Sequence, residues 1–158
     1  MKKFDDLGLK LAEYQAMIFE QSVEKQDCSS LVFIRRFKFS NLANRLDNAN
    51  ADVLLDVNYA FDELNDQYSN KKYGNEKMSK EVLFWIGYIT RYFAYTREIK
   101  TKEVFELIDA KKLPESYYVY HTQSEEWTIE RLLENANISS DYFDKDKRFK
   151  ESLKKRYQ

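Results

Sequence analysis

Two side chains able to serve as nucleophile and base each occur once in this 158-residue chain: Cys28 and His121, 93 positions apart. A thiolate–imidazole pair works when the base lies within hydrogen-bond reach of the sulfur. Neither residue sits in a motif that would bring the two together. A zinc site needs three or four Cys, His or carboxylate ligands at fixed spacing, so no metal is expected, nor any other cofactor. Only three glycines occur, which leaves no Gly-rich phosphate loop, no dinucleotide fingerprint and no G-x-S-x-G elbow. The residue inventory points away from catalysis.

Recognition chemistry is better represented. Arg91 is the one charge inside Trp85-Ile-Gly-Tyr-Ile-Thr-Arg-Tyr-Phe-Ala-Tyr-Thr96, where helical spacing groups it with Tyr88, Tyr92 and Tyr95. That grouping reads either as an internally paired cation or as a groove for an anionic or aromatic group. A second cluster, Tyr117, Tyr118, Tyr120 and His121, holds residue types enriched at protein interfaces. All-α ribonuclease toxins of the HEPN type carry an Arg a few residues before the catalytic His; residues 115–120 contain none. Arg91, Tyr92, Tyr95, Tyr117, Tyr120 and His121 are therefore the expected partner-binding residues.

A nucleic-acid alternative rests on Arg35 and Arg36, followed by Ser40-Asn-Leu-Ala-Asn-Arg45. Read as two short helices around a tight turn over residues 30–47, this segment would direct Asn41, Asn44 and Arg45 toward DNA. The turn lacks the usual Gly. With 26 basic and 27 acidic residues, the chain as a whole has no electrostatic drive toward phosphate.

These residues are to be positioned by helices. Three Gly and one Pro are too few turn formers for a strand-rich fold, and apolar periodicity marks a first helix over about 5–25. Ser29 or Ser30 caps a helix to Lys38, and Ser40 caps a short one. Val53, Leu54, Val57, Ala60, Phe61, Leu64 and Tyr68 trace a helix over 53–68. The polar stretch 69–77 is expected to be an exposed loop. Ser79 with Glu81 opens the aromatic helix, about 79–97, whose Gly87 costs roughly 1 kcal/mol relative to Ala and implies close approach of another backbone. Thr101 with Glu103 suggests a helix over 102–110, Pro114 a new boundary, and Ser124 a last core helix.

The resulting expectation is an all-α, compact single-domain bundle of about six helices around the central helix, comprising residues 1–136. Residues 137–158 form a basic C-terminal tail, read as helical, in which Phe149, Leu153 and Tyr157 make one narrow apolar stripe. No stretch approaches the roughly 20 apolar residues that span a bilayer. The N-terminus has no apolar targeting segment, so a cytoplasmic location without membrane contact is expected.

Phe33-Ile-Arg-Arg-Phe37, Leu46-Asp47-Asn48, Tyr73-Gly74, Trp85-Ile-Gly-Tyr-Ile-Thr-Arg-Tyr92, Tyr120-His-Thr122 and Ile129-Glu-Arg-Leu-Leu-Glu134 occur in that order. Together they resemble a family of small bacterial all-α proteins found beside toxin-like genes in toxin–antitoxin or phage-defence neighbourhoods. The resemblance covers about residues 30–134, and the family has no established active site. It implies an antitoxin-like or accessory role: a non-enzymatic protein that binds a cognate toxin or other protein partner. The rival expectation is a DNA-binding regulator of its own operon.

Overall fold

Short polar side chains set the helix starts. In the computed structural model, which describes residues 1–50, 52, 54, 56–139 and 141–157 (for 145–148, 150 and 151 the backbone only), Asp5 Oδ1 accepts from Gly8 N at 2.9 Å and opens α1 (Asp6–Lys25). Ser29 caps α2 (Ser30–Lys38), and Ser40 caps α3 (Asn41–Asp47). Asp56 caps α4 (Val57–Tyr68), while Ser79 caps α5 (Lys80–Arg97). Each supplies an oxygen to a backbone N–H that the helix itself leaves unbonded. α6 (Thr101–Leu107), a 3-10 turn (Ala110–Lys112), α7 (Leu113–Tyr120), α8 (Glu125–Asn135) and α9 (Tyr142–Arg156) complete the chain.

The class is all-α, and the described residues include no strand. Among the described residues eight α-helices precede the tail helix α9, where about six were expected for the bundle; α7, only eight residues long, is too short to show a clear 3.6-residue period. α4 starts at Val57 rather than 53, with Leu54 still ahead of it; Val53 lies outside the described residues. Thr101 is the first residue of α6 rather than its cap, and the helix ends at Leu107.

α1 and α5 form an antiparallel central pair: Gly8 lies against Tyr95, Gln15 against Thr90, and Glu24 against Lys80. At their crossing a Cβ on Gly87 would fall 2.8 Å from the Gln15 carbonyl oxygen and 2.9 Å from Ala16 Cα. The close backbone approach expected at Gly87 is thus present, and it requires glycine. Around this pair, α2 and α4 contact α1, while α6, α7 and α8 contact α5. Phe19, Phe33 and Phe37 pack with centroids 4.9 to 6.0 Å apart, which joins α1 to α2 in the core.

Residues 69–77 form the expected connection, largely exposed but tied to its neighbours. Ser29 N and Ser30 N donate to Tyr73 O and Glu76 O, and Lys77 Nζ donates to Val23 O and Gln26 O. Among the described residues no helix is long and apolar enough to cross a membrane.

Candidate functional site

Arg91 does not reach the partner-facing surface expected for it. The side chain is 1% exposed, and its Nη1 donates to Asp47 Oδ1 at 2.7 Å. Nη2 donates to Thr101 Oγ1 at 2.5 Å and Nε to Gln15 Oε1 at 2.8 Å. Asp47 Oδ1 also accepts from Thr101 N and Oγ1, so one cluster links α1, α3, α5 and α6. Burial pulls the Arg91 pKa below its ordinary value while Asp47 opposes that shift. Three hydrogen bonds, one of them to a carboxylate, satisfy a cation that would otherwise be costly to bury. Thr101 is spent here, which explains why it does not cap α6.

Tyr92 and Tyr95 are likewise nearly buried. The Tyr92 hydroxyl donates to Glu126 Oε1 at 3.3 Å and that of Tyr95 to Asp5 Oδ1 at 2.6 Å. Burial, together with these carboxylates, pushes both phenols up to about 12. Glu126 is further engaged by the Arg97 guanidinium. These groups join the helix ends rather than face a ligand.

The other expected cluster behaves differently. α7 lays Tyr117 edge-on against Trp85, centroids 5.9 Å apart, and His121 stacks on Tyr117 at 4.3 Å. Between α5, α7 and the start of α8 lies an open groove of about 510 Å³, walled by Phe84, Trp85, Tyr88, Tyr117 and His121. Its rim carries Glu20, Glu81 and Glu125 against one cation, Lys80, itself paired with Glu24. Burial raises the Tyr88 hydroxyl to about 12, with Glu125, which accepts its hydrogen bond, adding to the effect. His121 Nδ1 sits 2.7 Å from Tyr117 O. A carbonyl only accepts, so Nδ1 donates to it.

Tyr120 faces away from the groove: its ring packs on Trp127 at 5.5 Å, and its hydroxyl accepts from Asn135. Of the six expected partner residues, Tyr117 and His121 line the groove and the other four do not. Cys28, buried ahead of α2, does not line the groove that holds His121, nor does Arg91. Among the described residues no cluster of three or more His, Cys, Asp or Glu is arranged to hold a metal ion.

Of the residues in the DNA reading, Asn41, Asn44, Arg35 and Arg45 are exposed, on two helices joined through Phe39 and Ser40. Two of its cations are engaged within the protein. Both Arg36 terminal nitrogens donate to Lys71 O at 3.2 Å, and Arg45 pairs with Glu63 of α4.

Trp85, Phe84 and the three rim glutamates were not legible as a site from sequence. Helical spacing grouped Tyr88 with Arg91, Tyr92 and Tyr95, whereas in the fold it meets Phe84, Trp85 and residues of α7 and α8 around the groove. Comparison with protein-family models, with curated proteins and with solved structures finds no match.

Proposed function

We propose that this chain is a non-enzymatic, antitoxin-like protein of the cytoplasm that binds a partner protein, and neutralises or regulates it, through the α5–α7 groove. The observation that carries the reading is the open aromatic wall of Trp85, Tyr88, Tyr117 and His121. Tyr and Trp in a pocket that a partner can desolvate are the residue types that dominate interface energetics. A groove of this shape accepts the apolar face of a helix or an extended segment. The family resemblance of residues 30–134 supports the same role.

Co-expression with the product of the adjacent gene, followed by size exclusion, tests it. Co-elution at micromolar concentration is expected; separate elution contradicts the reading. DNA binding is the weaker reading, since Arg36 and Arg45 are held by Lys71 O and Glu63. A salt-dependent gel shift on the upstream DNA would favour it.

A further inference from the structure

Among the described residues, α9 is an amphipathic element whose apolar stripe is exposed at both of its ends. α9 is fixed at its start, where Phe143 packs edge-on against Phe93 at 5.6 Å and the Tyr142 hydroxyl donates to Glu103. Beyond that turn Leu153 is half-buried, while the two ends of the stripe face solvent: Phe149 is 63% exposed and Tyr157 87%. Around this stripe, residues 145–158 hold seven basic and two acidic residues. The groove has the converse character, aromatic within and acidic at the rim, with its one lysine already paired.

The dimensions agree as well. Phe149, Leu153 and Tyr157 cover two steps of four residues, about 12 Å of helix at 1.5 Å per residue. Glu81 to Ile89, the α5 stretch along the groove, covers the same eight-residue interval and the same length of about 12 Å. We infer that the groove takes the basic α9 helix of a second copy of this chain, with Phe149 and Tyr157 against Trp85 and Tyr117 and the tail cations beside Glu20, Glu81 and Glu125. Reciprocal exchange of tails closes the pair by a two-fold axis, so the contact does not propagate into a filament. The inference rests on the groove's capacity to dock a protein segment, as proposed above, and it makes the tail a competitor that a partner must displace.

Sedimentation velocity of the full chain over a range of micromolar concentrations tests this, using two variants altered only at surface positions. In one, Glu20→Lys with Glu81→Lys reverses the rim; in the other, Phe149→Ser with Tyr157→Ser removes the stripe. The native chain is expected to dimerise at low salt and to dissociate as salt rises, because the charge pairs are solvent-facing. Each variant alone is expected to remain monomeric with an unchanged circular-dichroism spectrum. Mixing the two restores one intact groove–tail contact and returns part of the dimer.

A native chain that is monomeric throughout, including one whose tail folds onto its own groove, overturns the proposal. So does a dimer indifferent to both variants, or a mixture that stays monomeric. A monomer that still co-elutes with the adjacent gene's product overturns self-association alone. A dimer that ignores that product overturns the proposed function instead.

Discussion

Asp47 accepts from Arg91 and twice from Thr101 through a single oxygen, in a setting nearly closed to water. Replacing it with Ala strands the guanidinium inside the bundle. The expected cost is about 3–5 kcal/mol of stability, read from urea unfolding. Arg91→Met with Asp47→Leu removes both charges and is expected to recover most of that loss, since an apolar replacement of a buried ion pair is often neutral. Tyr88, Tyr92 and Tyr95, each raised from 10.0 to about 12, predict the alkaline behaviour. The folded state holds these protons more tightly than the unfolded chain, so their contribution is complete below pH 10 and is lost as pH rises through about 12. Absorbance at alkaline pH should show these three tyrosines titrating late, with stability falling over the same window.

At the scale of elements, the α1–α5 pair depends on Gly87. An added methyl there meets backbone atoms of α1, which cannot swing aside as a side-chain end would. Gly87→Ala is expected to lower stability by roughly 1–3 kcal/mol through overpacking, even after the helix-propensity gain of about 1 kcal/mol; calorimetric melting checks the sign. This contact was legible beforehand, because a glycine in the middle of an otherwise rich apolar helix needs a reason. The starts of α2, α3, α5 and α8 were legible from Ser29, Ser40, Ser79 and Ser124, whose side chains cap locally. Thr101 misled because its hydroxyl answers to Asp47, 54 positions away, and no local pattern encodes that. The groove was hidden for the same reason. Tyr117 and His121 were singled out by type, but their meeting with Trp85 depends on where Pro114 and the preceding turn send α7.

For the whole molecule, a near-neutral total conceals an uneven distribution of charge. Carboxylates rim the aromatic groove and cations gather on the tail, so net charge alone gives no hint of a directed contact. The interior cation, Arg91, links four helices, and the proposed recognition surface lies elsewhere on the same central helix, toward its first half. The central claim, that the groove is the docking surface, is tested most directly by titration calorimetry of the adjacent gene's product against the native chain, Tyr117→Ala, and Tyr59→Ala. Tyr59 is a matched control, 65% exposed and outside the groove. Tyr117→Ala is expected to weaken binding by about 2 kcal/mol, roughly thirtyfold in Kd, while Tyr59→Ala leaves it unchanged. Equal Kd values for all three proteins would contradict it.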